Sequence, residues 1–319
     1  MIRKQWKQLL LTDRVLILYL AVVAIWLAFF HQNVSLWPRY SIGYGGLSVA
    51  LFVVLPHWKL SEKRVLRFLR ISFPALATSV LFVQLNDLLF SFFPDSIDEA
   101  FIQMEWWLFG SEPAMELSRL LPWRWFSEMM SFFYVSYYVQ VFVTAVLAWR
   151  LAPRHFYRIV FGITATFYFC YVIYVIFPVA GPTIPRNISL DDQFTGYIIA
   201  DFLKFLLARG EVAGAAFPSS HVVLSLLCLF FSLRFLPKWG HISMLIFLGL
   251  AMSTVYLKQH YAVDVLGGIV CAGIFYWWMN RIFDNYLQRH LQRFAVGYEG
   301  TIPFGAHFMP AESARQISN

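Results

Sequence analysis

Charge is scarce in this chain. Only 13% of its 319 residues are Asp, Glu, Lys or Arg, against 59% hydrophobic, and mean hydropathy is +0.60. That balance excludes the two soluble domains that length alone would suggest. Cysteine is scarce too: Cys170, Cys228 and Cys271 each lie inside an apolar run with no paired spacing, which argues against a disulfide framework or a cysteine zinc site. No internal repeat is visible, which counts against many transporter folds. Basic-aromatic modules are missing, so the net charge of +7 and the pI near 9.3 do not signal nucleic acid.

What the chain has instead is long apolar runs. Eight candidate spans fall at about 15–30, 41–56, 71–93, 128–148, 159–178, 217–236, 241–257 and 261–280, each near the roughly 20 residues that a bilayer requires. The first follows Arg3, Lys4, Lys7 and Arg14 and precedes no small-residue cleavage site, so it reads as a retained span. With eight spans, 18 of the 25 Lys and Arg residues fall on one side and 7 on the other. Cytoplasmic segments carry such an excess. Both termini are therefore expected in the cytoplasm, and the connections holding Arg186, His221 and His260 outside, in periplasm or lumen.

The outward connection at 94–127 combines Asp95, Asp98, Glu99, Glu105, Glu112 and Glu116 with Trp106, Trp107, Trp123 and Trp125. Tryptophan suits the headgroup level, and a short interfacial helix is expected there. Tyr197 to Arg209 has a broad apolar face opposite Asp201, Lys204 and Arg209. It reads as a second interfacial helix, placed to shape lipid access. Asn86 and Asp87 fall within the third span, where charge is costly; Asp87 is either functional or paired with an outward cation. Gly267, Gly268 and Gly273 read as helix-packing positions.

Two stretches carry chemistry. The first is Ala215 to His221, read Ala-Ala-Phe-Pro-Ser-Ser-His; Pro218 suits the opening turn of a helix, leaving the amides of Ser219, Ser220 and His221 free to hold a phosphate. The second runs from Ser253 to Asp264. There His260 and Asp264 are four apart, so on one helix they share a face and the carboxylate can fix the imidazole tautomer. Gly181 to Arg186 falls on the same side. A nucleophilic histidine and a second histidine beside a phosphate cradle point to phosphoryl transfer at a membrane surface.

These residues resemble the type 2 phosphatidic acid phosphatase superfamily, whose motifs are Lys-x6-Arg-Pro, Pro-Ser-Gly-His and Ser-Arg-x5-His-x3-Asp. Here the second reads Pro218-Ser219-Ser220-His221 and the third Ser253-Thr254-x5-His260-x3-Asp264. The first is degenerate around Arg186, and Thr254 stands where the phosphatases have arginine. The likeness covers roughly residues 160–280. Within the superfamily, the third motif and the following glycine pair are closer to the inositol phosphorylceramide synthase branch.

The resemblance implies an all-α, polytopic membrane bundle of about eight transmembrane helices with a six-helix catalytic core. Residues 1–70 would form a two-helix extension, 71–283 the core with outward loops 94–127 and 179–216, and 284–319 a cytoplasmic tail. It implies that His260 attacks phosphorus, that Asp264 orients it, and that His221 protonates the leaving group. Ser219, Ser220 and Arg186 would hold phosphate oxygens, with Lys258 as a second source of charge. Thr254, Asp191, Asp192 and Lys204 are weaker substrate-binding candidates. No cofactor or metal is implied: Asp191-Asp192 lacks further carboxylates at ligand spacing, and the repeated Asp pattern of the CDP-alcohol phosphotransferases is absent.

The activity implied is metal-independent transfer of a phosphorylated headgroup from a phospholipid donor to a lipid alcohol acceptor such as ceramide or diacylglycerol. Losing two cations fits a diester donor, since a monoester dianion gains more from them. Two rivals stand beside it. One is hydrolysis of a lipid phosphate or polyprenyl diphosphate; the other, from a different class, is a transporter or non-catalytic lipid-binding protein.

Overall fold

The computed structural model describes residues 2–210 and 212–295. Among them it is all-helical, with thirteen α-helices and no strand beyond one bridge between Val179 and Ala215. After the short α1 (Ile2–Gln8) come α2 (Leu11–Phe29), α3 (Trp37–Val54) and α4 (Arg64–Val83). The outward connection then forms α5 (Asp98–Phe109) and α6 (Pro113–Leu120), as short helices were expected there. The long α7 (Arg124–Leu151) and α8 (Pro153–Ile176) follow, then α9 (Leu190–Gln193) and α10 (Ile198–Gly210). The chain ends in α11 (Ser220–Phe235), α12 (Pro237–Tyr256) and α13 (Ala262–Ala295).

Seven of these (α2, α3, α4, α7, α8, α12 and α13) are long and apolar enough to cross a bilayer. The chain is an integral, polytopic membrane protein. The eighth expected span is α11, and its 16 residues reach only about 24 Å at 1.5 Å per residue, short of a hydrocarbon core of about 30 Å. Its length is tolerable because it packs against α7, α8, α12 and α13 and buries most of its side chains. Lipid does not have to match it end to end.

Two tight reversals order the bundle. Pro153 and Pro237 open α8 and α12, and each leaves one non-helical residue, Ala152 or Leu236, between consecutive long helices. A residue before proline is disfavoured in the α region, so the chain must turn there. The α7/α8 and α11/α12 pairs are therefore antiparallel neighbours. The four ends nearest the motifs, namely the start of α11, the end of α12, the start of α13 and the end of α8, come together at one end.

The N-terminal helices are fastened to this bundle by a buried ion pair. Arg70 on α4 donates to both carboxylate oxygens of Asp13 on α2, at 2.7 Å each, and Tyr157 Oη on α8 accepts the Leu11 amide at 2.5 Å.

Several expectations need correction. The third span does include Asn86 and Asp87, as expected: it runs Arg64–Asp87 and closes in a 3-10 turn over Gln84–Asp87, where both residues are exposed. Asp87 accepts from Tyr40 Oη at 2.7 Å, and its partner is therefore a hydroxyl, not a cation. The last helix continues to Ala295, well past 280 and into the stretch assigned to the tail; residues 296–319 lie outside the described residues. A methyl group on Gly267 would strike Phe217, and one on Gly268 would crowd the Ser219 carbonyl at 3.1 Å, so both are close-approach positions. Gly273 faces open space and packs against nothing.

Candidate active site

At the start of α11, Ser219 is the N-cap: its carbonyl accepts the Val223 amide at 2.9 Å and its hydroxyl faces the Val222 amide at 3.5 Å. Pro218 therefore precedes the cap and does not open the helix; the Phe217–Pro218 peptide is cis. The Ser219 amide is not free, because it donates to the Asp264 carbonyl at 3.2 Å. That leaves Ser220 and His221, whose amides have no intrahelical acceptor at a helix start. Tyr174 on α8 anchors the turn by donating to the Pro218 carbonyl at 3.1 Å, and its hydroxyl lies against Ser220.

His260 is not on a helix. After α12 ends, the Thr254 carbonyl accepts the amides of Gln259 and His260 at 3.0 and 3.1 Å, and Lys258 takes a left-handed φ of +59° to close the turn. The next helix begins only at Ala262, with Asp264 in its first turn. The carboxylate of Asp264 caps its own helix by accepting the Tyr261 amide at 2.8 Å, and Oδ2 stands 3.5 Å from His260 Nδ1. The expected pairing of His260 with Asp264 is thus present, produced by a turn that leads into a helix.

On its other edge, His260 Nε2 lies 3.5 Å from His221 Nδ1. The rings of Tyr134 and Tyr137 flank His221 at 4.8 and 4.7 Å. His260 is only 4% exposed. Burial pulls its pKa down to about 4, outweighing the Ala216 carbonyl that favours the protonated ring. It stands as a neutral imidazole at pH 7.

Carboxylates of α5 and of the start of α6 contact the segments on either side of the His260 turn, and the sequence had not marked them as site residues. Asp98 accepts the amides of Ala180 and Gly181, both at 2.9 Å, holding the segment that follows α8. Gly181 is required there: its φ is +98°, and a Cβ would sit 3.2 Å from the Gln259 carbonyl. Fully buried Glu105 accepts the Ala262 amide at 2.5 Å and faces that of Val263, so a side chain from α5 caps α13. Burial raises its pKa to about 7 against the pull of those amides, helped by nearby Asp264 and Glu112. Asp98, Glu105 and Glu112 are seven residues apart, which places the first two on one helical face. That spacing was the signal available.

The expected phosphate ligands are engaged with protein partners. Arg186 pairs with Glu112 and donates to the Pro182 carbonyl at 2.8 Å. Lys258 donates to the Gln193 carbonyl, and burial lowers its pKa. The Thr254 hydroxyl bonds back to Ala251 in its own helix, at 3.0 Å. The substrate-binding candidates Asp191 and Lys204 pair with each other at 3.4 Å, and Asp192 bonds Ser189 at 2.5 Å. What reaches the His260 turn from this segment is Gln193, bonded to Gln259 at 2.6 Å. Among the described residues no three His, Cys, Asp or Glu side chains converge as a metal site would require.

Four buried polar atoms around this turn have no hydrogen-bond partner: Glu105 Oε2, His260 Nδ1, Tyr261 Oη and Asp264 Oδ1. Buried polar atoms are nearly always satisfied, and each orphan costs about 1–3 kcal/mol.

A family model described as the PAP2 superfamily matches residues 100–278, more than half of the chain. The chain belongs to the PAP2 superfamily. The matched stretch runs from within α5 to α13, so in this PAP2 protein the likeness includes Glu105 and Glu112 and begins well before residue 160. A PA-phosphatase related-family protein from Dictyostelium discoideum is 29% identical over 111 residues, covering 33% of this chain and 20% of that protein. The chain therefore matches only a fifth of that relative's length. No solved structure gives a significant match.

Proposed function

We propose that this PAP2-superfamily membrane protein is a lipid phosphotransferase working through a phosphohistidine. His260 Nε2 attacks the phosphorus of a phospholipid, the bond to the leaving lipid alkoxide breaks, and His221 supplies the proton that alkoxide takes. An acceptor hydroxyl then gives its proton to His221 and attacks phosphorus, breaking the phosphorus–nitrogen bond. The observation that carries this reading is the pair of contacts on opposite edges of His260, Asp264 at Nδ1 and His221 at Nε2. Asp264 faces one edge, and the other would present the nucleophile beside a proton carrier. Phosphate oxygens would lie at the Ser220 and His221 amides and toward Arg186.

Transfer of a diester headgroup, as in the inositol phosphorylceramide synthase branch, is favoured by the shortage of free positive charge. Thr254 supplies no cation, Glu112 balances Arg186, and Lys258 serves a carbonyl. The rival is hydrolysis, which the name of the Dictyostelium relative favours. A donor–acceptor assay separates them. Purified protein is given phosphate-labelled phospholipids with and without ceramide or diacylglycerol, in chelator. Label on a new lipid only with acceptor present is the expected result; water-soluble phosphate released without acceptor would establish hydrolysis. The site is proposed to face outward from a cytoplasmic N-terminus, and labelling of a single cysteine at position 192 from the cytoplasmic side alone would overturn that.

A further inference from the structure

The cation proposed to meet the phosphate is not free to act alone. Arg186 lies beside Tyr261, the residue after His260, and its guanidinium is held by Glu112 at the N-cap of α6. Glu112 is in turn close enough to Glu105 to raise that group's pKa, and Glu105 caps α13 two residues after His260. The ion pair therefore belongs to the same set of contacts on either side of the His260 turn. Both partners are largely shielded, with side-chain exposures of 25% for Arg186 and 18% for Glu112, so water screens their attraction only in part. Asp98, Glu105 and Asp264 add three more carboxyl groups around the same turn.

The geometry points to Glu112 as a specificity-determining residue: by occupying Arg186 it makes the site reject phosphomonoester dianions and accept phosphodiester monoanions. This rests on the reading of His260 as the phosphoryl acceptor with Arg186 at its phosphate. A diester carries one charge, which two helix-start amides and a half-balanced guanidinium can match. A monoester at neutral pH carries nearly two, and the second would face Glu112 with no cation left over. Neutralising Glu112 hands the full charge of Arg186 to the ligand.

The test compares kcat/KM for dioleoyl phosphatidic acid and dioleoyl phosphatidylinositol in the full chain. Glu112→Gln is expected to raise the monoester-to-diester ratio by about tenfold, the size of one modest change in charge balance, while Glu112→Asp keeps the wild-type ratio. An unchanged or lower ratio in Glu112→Gln overturns the proposal. Should that variant fold poorly, Glu112→Ala is measured in the same way. Should the neutral variants turn over neither lipid, thermal stabilisation by inorganic phosphate against dimethyl phosphate at pH 8 decides. A stronger preference for the dianion than in wild type supports the proposal, and an equal preference overturns it. A wild-type protein that itself prefers the monoester would defeat the diester reading, yet the shift caused by Glu112→Gln would still be measurable.

Discussion

Glu105 accepts the Ala262 amide hydrogen at 2.5 Å, so a carboxylate on α5 caps the helix that carries Asp264. A helix start leaves unsatisfied amides and a positive end, and here the cap comes from 157 residues earlier in the chain. The contact fixes α5 over the turn that presents His260.

Because burial lifts the Glu105 pKa from 4.5 to about 7, the group binds its proton more tightly folded than unfolded. The stability this contributes is complete below pH 4.5 and is lost as pH rises through about 7, an effect of roughly 3 kcal/mol at most. Glu105→Gln keeps an acceptor for the amide and never ionises. Its melting temperature should therefore gain on wild type between pH 5 and pH 8. Parallel melting curves across that range would mean that Glu105 is solvated.

His260→Ala should abolish turnover while leaving the melting temperature within a few degrees, and His221→Ala should lower kcat by about 10²–10⁴-fold, the usual share of a positioned acid–base group. The His260 pKa near 4 has a definite sign: the neutral imidazole persists until pH falls to about 4. The acid limb of kcat/KM due to this residue should lie there. A limb in wild type at the ordinary histidine value near 6.5 would mean that the ring is hydrated.

The sequence was most legible where a single rule governs. Eight apolar runs became seven long helices and the short α11, since bilayer thickness dictates their length. Pro218 to His221 and His260 to Asp264 met at one end because motif and helix start coincide. Long-range pairing was not legible. Nothing local tells Glu112 that its partner is Arg186, 74 residues later, or Glu105 that it will cap α13. Those acids lay among tryptophans and looked like the polar side of an interfacial helix. Asp191 and Lys204, expected at the substrate, had each other as nearer partners.

Tyr174→Phe removes one oxygen and leaves the Pro218 carbonyl without its donor in a buried turn. The loss should cost about 1–3 kcal/mol and loosen the turn that orients Ser219 to His221. A fall in kcat with KM little changed is expected, because the altered group touches the scaffold and not the lipid. Equal kcat in the two proteins would show that the Ser219–Asp264 bond and the Gly267 and Gly268 packing hold the turn without Tyr174.

The Asp13–Arg70 pair allows a separate test of the N-terminal helices. Both side chains are almost fully buried, and Arg70 also donates to the Trp58 carbonyl at 3.0 Å, while Asp13 accepts the Leu10 amide at 3.0 Å. Arg70→Ala would strand a buried carboxylate, at a cost of about 3–5 kcal/mol, whereas replacing both residues with apolar ones of similar size is often neutral or stabilising. The double variant Asp13→Leu with Arg70→Met should therefore melt above Arg70→Ala and close to wild type. Because the pair joins α2 to α4 and lies outside the matched region at 100–278, turnover per folded molecule should be unchanged in the double variant. A double variant that folds but does not turn over would mean that α2, through its hold on α4, shapes the catalytic end of the bundle, and that the core proposed at 71–283 cannot be treated apart from residues 1–70.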